Sequence, residues 1–450
     1  MKVKIILIIS YSINLLFSEI SEGIVLLSDY EYDKAVLINI DDEIIHQWDI
    51  PDLLKSYLNP DSSLYSFSRV NNEEFFIQLI DWDGNQLWSY ILEIEICRLH
   101  HELEILPNGN ILCLCRETIS TEENIFFDND LDIDKIIEIE PVGNNEANII
   151  WEWHFYNHLI QDSDIDSPEY GDISQNPQLL NINLTNNYDP FPNYQDYTHI
   201  NCIDFNPELN QIIISSRSLN EIYIIDHSTT TYEASGHSGG IYNMGGDILY
   251  RWGNPFNYNR GDISDKKLFS PHGVNWIENN SPGGGNILLF NNNHSEGSSA
   301  VIEFQPPVSN NGFYTLINDE PYGPYDFIWV YQSDFHSQTN SGAFRLSNGN
   351  TFITSFGDNR VFEVDHEGII QWEYIGEFVN VHRAIKYDSN YFNPILMGDI
   401  NNDGLINILD IVQVVTLVLE SDYESIVDLN YDGSVDVLDI VIMINMVLEI

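Results

Sequence analysis

Between residues 23 and 386 the apolar positions fall in short runs separated by Asn, Gly, Pro and Asp, with no stretch at the spacing of an amphipathic helix. The runs recur in sets of four. One set covers residues 101–106, 110–115, 135–140 and 148–153, and a second covers 199–204, 211–215, 221–225 and 248–252. A third starts at His272 and continues at 286–290, 300–304 and 327–331; a fourth covers 341–346, 351–354, 361–364 and 369–374. The last run of a set usually carries a Trp, and two less regular sets before these end at Trp48 and Trp88. Asn-Gly-Asn turns at 108–110 and 348–350 join first to second runs. Four-stranded units repeating at this scale predict an all-β, six-bladed β-propeller over residues 19–390, each blade burying its faces against its neighbours. A β-sandwich array is the rival, but it leaves the recurring Trp unexplained. The run at 382–387 is expected to close the ring beside strands near Gly23, and polar insertions at 156–198 and 233–271 are expected to roof one face.

Beyond the propeller the pattern changes. Residues 399–410 place oxygen ligands at positions 1, 3, 5, 9 and 12 of a twelve-residue loop, as Asp399, Asn401, Asp403, Asn407 and Asp410. Leu405 at position 7 offers its carbonyl, and Gly404 permits the sharp turn. The pattern repeats at Asp428, Asn430, Asp432, Ser434, Asp436 and Asp439, with Gly433 at the turn. Calcium takes six to eight hard oxygens, so two such loops predict structural calcium in a domain spanning 396–450. Each loop leads into an apolar helix, at 411–419 and 440–448.

Residues 1–18 read as a signal peptide: Lys2 and Lys4, a short apolar run, then Ser18 near a cleavage point. That run is short for a bilayer span and no later stretch supplies one, so the expectation is an exported, periplasmic or extracellular protein without an integral membrane span. Lys and Arg total 17 against 70 Asp and Glu, a net charge of -53, which repels phosphate backbones and speaks against nucleic acid as a partner. The 43 percent of hydrophobic residues separates the chain from a disordered acidic tail. The four cysteines, Cys97, Cys113, Cys115 and Cys202, match no zinc spacing. Cys113 and Cys115 share one face of a strand and cannot pair with each other, which leaves a link from Cys97 to one of them, or buried thiols.

His101, His199 and His272 each begin the first run of a set. Equivalent positions of a propeller converge around its axis, and Arg217 follows the second run of the His199 set. Three imidazoles and a guanidinium at one mouth suit a substrate with negative charge spread over tetrahedral oxygens. A zinc site from the three histidines is a competing reading, opposed by the like charge of Arg217. His227, His237, His294, His336 and His366 fall in loops and read as surface residues.

The sequence resembles the bacterial arylsulfate sulfotransferase family over roughly residues 95–385. The resemblance rests on His100-His-Glu with Leu106-Pro-Asn-Gly-Asn, Tyr197-Thr-His-Ile-Asn, Ser215-Ser-Arg, Ile225-Asp-His-Ser-Thr-Thr-Thr, Leu249-Tyr-Arg-Trp-Gly-Asn-Pro, Phe290-Asn-Asn and Ser341-Gly-Ala-Phe-Arg-Leu-Ser-Asn-Gly-Asn. It implies an exported six-bladed propeller that moves a sulfuryl group from a phenolic sulfate ester to a phenol, with no nucleotide donor and no metal at the catalytic site. By the same resemblance His272 is the nucleophile that becomes transiently sulfated, His199 and Arg217 are its partner His and Arg, and His101, with His100 as its alternative, is the remaining His. Members often carry Asp or Asn after the nucleophile, where this chain has Gly273, preceded by Pro271. Tyr197, Trp276 and Phe290 are candidates to stack on an aryl ring, or core residues. The tail resembles the dockerin family, which implies calcium-dependent folding and a cohesin-like partner; Ile408-Leu409 and Val437-Leu438 stand where that family often has Ser or Thr. The other class of function is a non-catalytic ligand-binding propeller displayed by its tail.

Overall fold

The computed structural model describes residues 20–70, 74–122, 129–184, 195–378, 380–392, 397–401, 406–420, 423–430 and 433–448. The proposed signal peptide, Asp403, Gly404, Leu405 and Asp432 lie outside these. The described strands form six four-stranded antiparallel blades and one short two-stranded sheet. Blade 1 combines Ile385–Asp388 with Gly23–Asp29, Lys34–Asn39 and Ile44–Asp49, so the end of the propeller chain supplies the first strand to its beginning. The closing pair is antiparallel, with Gly23 opposite Asp388 and Leu26 opposite Ile385.

Blade 2 runs through Leu53–Leu58, Leu64–Val70, Glu74–Ile80 and Gln86–Leu92, and blade 3 through Arg98–Ile105, Ile111–Ile119, Leu131–Val142 and Glu146–His154. Blade 4 has Ile200–Asn206, Gln211–Ser216, Glu221–Asp226 and Tyr250–Trp252. Blade 5 has Pro271–Trp276, Ile287–Ser295, Ser298–Phe304 and Trp329–Tyr331, and blade 6 has Gly342–Arg345, Thr351–Ser355, Arg360–Val364 and Ile370–Glu373. Leu99–Ile139 with Ile149–Ala384 form one compact unit; Glu22–Arg98, Glu140–Asn148 and Ile385–Ile450 belong to a second.

The middle strands of blade 4, Gln211–Ser216 and Glu221–Asp226, are buried at every position. A strand covered on both faces needs apolar side chains on both, which is why these runs read Ile-Ile-Ile and Ile-Tyr-Ile-Ile rather than alternating. The outer strand of blade 1, Ile44–Asp49, buries only Trp48. The recurring Trp acts as a clasp. Trp48 donates its indole N–H to the carbonyl of Asp81, Trp88 to that of Glu146, Trp252 to that of Pro324 and Trp329 to that of His366. Each acceptor lies between the third and fourth strands of the next blade or, for Glu146, at the first residue of the fourth. Trp151 reaches Thr229 Oγ1 at 3.1 Å in the same manner. A second repeated device sits inside the blades. Asn110, Asn286 and Asn350, each opening a second strand, donate from Nδ2 to Glu138, Glu303 and Glu363 on the third strand.

The insertion after blade 3 forms the short parallel pair Leu159–Ile160 with Leu180–Asn181. It is tied down by Arg251, fully buried, whose guanidinium pairs bidentately with buried Glu221 and donates to the carbonyls of Pro177 and Leu179. Cys97 and Cys115 are disulfide-bonded, and Cys113 and Cys202 are buried thiols.

In the tail, the helices are Ile408–Glu420 and Val437–Leu448, each starting three residues earlier than the apolar pattern suggests. The reason is capping: Asn407 Oδ1 accepts from Leu409 N at 2.8 Å and Asp436 Oδ1 from Leu438 N at 2.7 Å. Ile411, Val414, Val427 and Met443 form the core between the helices. Among the described residues no helix is long and apolar enough to cross a membrane.

Candidate functional site

Of the histidines singled out above, His199 directly precedes the first strand of blade 4 and His272 is second in that of blade 5, whereas His101 lies inside the first strand of blade 3, which begins at Arg98. His101 and His199 both adopt left-handed backbone, at φ 58° and 44°, a region that His enters more readily than most residues. At the start of blade 5 the left-handed residues are Ser270, at φ 56°, and Gly273, at φ 60°, which flank Pro271 and His272. A Cβ at Gly273 would lie 2.7 Å from Gly342 Cα and 3.1 Å from Ser341 O. A side chain at this position would meet the backbone of blade 6, so glycine permits the close approach of the two blades here. The rings of His101 and His199 lie 5.1 Å apart.

His272 is buried. Its Nδ1 lies 2.8 Å from Asn292 Oδ1 and 3.0 Å from Ser270 O. The Asn292 amide is oriented by its other end, since Nδ2 donates to the carbonyls of Ser337 and Asn340. Its Oδ1 is therefore the acceptor, His272 carries its proton on Nδ1, and Nε2 keeps a lone pair. Burial pulls the His272 imidazole down to about 3, helped by the charges of His199 and Arg217 and resisted by the hydrogen bonds that His272 donates to Asn292 and Ser270. Arg217 is placed by its backbone N–H, which donates to the carbonyl of His199 at 3.0 Å.

Carboxylates behind the rings set the other two histidines. His199 Nδ1 is hydrogen-bonded to Asp196, which also pairs with Arg116. His100 and His101 share a proton between their Nδ1 atoms, 2.7 Å apart, and His100 Nε2 donates to buried Asp134 at 2.9 Å. Burial alone would raise the Asp134 carboxyl; His100, Arg116 and Thr198 outweigh it and hold it at about 2. His100 thus stands behind His101 as its support.

Sequence reasoning missed Asp134, Asp196 and Asn292, and also Arg383. The Arg383 guanidinium pairs with Glu102 and lies 3.1 Å from Cys202 Sγ. Around it, burial pushes Asp204 up to about 7 and raises Glu104 well above the usual carboxylate range. Two of the aromatic candidates are core: Tyr197 is fully buried with its hydroxyl on the Asn181 carbonyl, and Phe290 packs against Phe335. Trp276 is half-buried and packs against the blade 4 and 5 core. His227 is not a surface residue; it bridges Glu138 and Asn210.

In the tail, Asp399, Asp410, Asp428 and Asp439 are buried to within 3 percent of full exclusion. Asp410 accepts from the backbone N–H groups of Asn401 and Asn407, and Asp439 from those of Leu429 and Asp436. No Lys, Arg or His follows Lys386 in the chain, so no side chain of the tail can neutralise these carboxylates. Buried charge of this kind requires a cation from outside, and a set made only of oxygens fits calcium.

The family model described as Arylsulfotransferase (ASST) matches residues 55–395, and that of the dockerin type I domain, a calcium-binding module, matches 397–448. A search of the curated proteins found no match. Among solved structures, a protein of unknown function from Bacteroides caccae aligns at 13% identity and TM-score 0.44, covering 81% of this chain and 99% of that one. A streptogramin B lyase aligns at 10% and 0.39, covering 82% and 88%, and virginiamycin B lyase from Staphylococcus aureus at 13% and 0.36, covering 79% and 85%. At these scores the structural likenesses carry no functional inference. The sequence-family match spans most of the chain and includes all four candidate residues: the chain belongs to the arylsulfotransferase family.

Proposed function

We propose that the propeller transfers a sulfuryl group from a phenolic sulfate ester to a phenol through a sulfated His272. The observation that carries this reading is the state of His272: neutral, with its proton pinned on Nδ1 by Asn292 and its Nε2 lone pair available. A neutral imidazole is a competent nucleophile, and a covalent intermediate divides one difficult transfer into two easier ones.

In the first half, His272 Nε2 forms a bond to sulfur as the bond from sulfur to the aryl oxygen breaks. His199, oriented through Nδ1 by Asp196, gives the proton on its Nε2 to the departing phenolate. In the second half, His199 takes the proton of the acceptor hydroxyl, the acceptor oxygen attacks sulfur, and the N–S bond breaks to restore neutral His272. Arg217 holds the sulfuryl oxygens as charge spreads over them, together with His101 when its Nδ1 accepts from His100 and its Nε2 carries the proton; losing one such donor typically costs about 3 kcal/mol of transition-state stabilisation. The tail is read as a calcium-folded docking module. Its helices expose Ile408, Leu409, Val437 and Leu438, an apolar surface suited to a cohesin-like partner. The disulfide-bonded state of Cys97 and Cys115 supports export to an oxidising compartment.

The test is incubation of the purified protein with a chromogenic aryl sulfate, followed by peptide mapping. Sulfate on His272, phenol release that rises when a second phenol is added, and loss of both in His272→Ala are expected. Absence of an adduct and of release across several donors would leave a ligand-binding propeller.

A further inference from the structure

A second imidazole cluster joins the insertion after blade 3 to the long connection between the third and fourth strands of blade 4, and sulfuryl transfer makes no use of it. His158 follows the last strand of blade 3, and its side chain is fully buried. Its Nε2 lies 2.8 Å from the carbonyl oxygen of Ala234, and its Nδ1 lies 2.8 Å from Asp247 Oδ1. Both neighbours only accept, whereas a neutral imidazole has a single N–H. His237 adds its own Nδ1, 2.7 Å from the same carboxylate oxygen. The three ligand atoms lie within 4.8 Å of one another. Positive charge beyond that of a neutral imidazole is needed between them.

We propose that His158 Nδ1, His237 Nδ1 and Asp247 bind a divalent transition-metal ion of the zinc class, with water as a fourth ligand on the solvent side. Two imidazoles and one carboxylate form a familiar ligand set for such ions, whereas calcium prefers oxygen alone. The surroundings fit. The Ala234 carbonyl holds the Nε2 proton of His158, which fixes the ring with Nδ1 as the coordinating atom. Trp153 stacks over that ring with its plane 7° from parallel, and its indole donates to the carbonyl of Gly246 at 2.7 Å. Gly246 makes room: a Cβ there would lie 2.6 Å from His158 Nε2 and 2.0 Å from Ala234 O. His237 is the open side, with its side chain 62 percent exposed. Tetrahedral bonds of about 2.0–2.1 Å separate ligand atoms by roughly 3.3 Å, so binding requires the ligands to spread by about half an ångström, which the glycine-rich loop bearing His237 permits. The ion would fasten that loop to the end of blade 3.

The test uses the full chain, stripped of transition metals and kept in excess calcium so that the tail is filled, and titrates zinc into the wild type and His237→Ala. His237 is exposed, so its loss does not threaten folding. The wild type is expected to hold one more tight equivalent of zinc than His237→Ala, and cobalt is expected to give visible tetrahedral bands in the wild type that vanish in the variant. Asp247→Asn should lose the same equivalent. Equal zinc stoichiometry in wild type and His237→Ala, or no zinc held by the wild type at micromolar free metal, would overturn the proposal and leave an imidazolium bonded to a carboxylate. Any equivalent retained by His237→Ala belongs elsewhere, the transfer-site histidines included, so the outcome is independent of whether the propeller transfers sulfuryl groups.

Discussion

His272 owes its character to one neighbour. Asn292 is turned by two carbonyls so that its oxygen faces the ring, and this decides which nitrogen of His272 keeps the lone pair. Asn292→Leu should release the tautomer and lower kcat by at least about 10²-fold with KM little changed, since a wrong histidine tautomer costs about 10⁴-fold in the unrelated Ser-His-Asp hydrolases. The pH consequence has a definite sign. His272 sits at about 3 in the folded protein, against about 6.5 for an ordinary histidine. Between those values the unfolded chain binds a proton that the folded one does not, so this group's contribution to stability is complete above about pH 6.5 and is lost as the pH falls toward 3. Nitrogen NMR of labelled histidine should show the His272 resonance still neutral at pH 5, with Nδ1 protonated; titration near 6.5 would contradict the burial argument. Sequence placed His101, His199, Arg217 and His272 but not Asn292, because nothing local distinguishes it from Asn291 beside it.

At the scale of elements, two of the motif arginines turn out to be structural. Arg345 pairs with Glu303 inside blades 5 and 6, and Arg251 pairs with Glu221 while holding the insertion at Pro177 and Leu179. Removing one partner of a fully buried pair leaves a charge without compensation, a loss of about 3–5 kcal/mol. Arg251→Met should therefore lower the denaturation midpoint strongly and open the 177–179 segment to limited proteolysis, while Arg251→Met with Glu221→Gln should recover part of the stability. Strand periodicity could not reveal this, because the partners of Arg251 come from two separate stretches of chain. The recurring Trp was legible as a repeat, yet its task as a clasp to the next blade's turn appears only when the blades stand side by side.

For the molecule as a whole, charge is the dominant feature. With a net charge of -53 and no basic residue after Lys386, the tail depends on bound cations to bury Asp399, Asp410, Asp428 and Asp439. Calcium chelation should remove the helical signal of Ile408–Glu420 and Val437–Leu448 from the far-ultraviolet circular dichroism spectrum, and calcium should restore it. Aryl sulfate turnover should survive chelation, because the residues proposed for it need no calcium. Retention of the helical signal in chelator would mean that the tail core alone suffices to fold it.

The sequence by itself determined the repeat of four strands, the ring closure near Gly23, the paired oxygen-rich loops and the set of His101, His199, Arg217 and His272, since each is written in local periodicity or spacing. Tertiary structure alone decided which side chains stand behind that set. Asp134, Asp196 and Asn292 come from different blades or loops, and their effect on a ring depends on distance and burial rather than on position in the chain. The same holds for His158, His237 and Asp247, separated by up to 89 residues yet converging on one carboxylate oxygen. Hydrogen bonds and desolvation act over a few ångströms, and only the fold fixes which residues fall within that range.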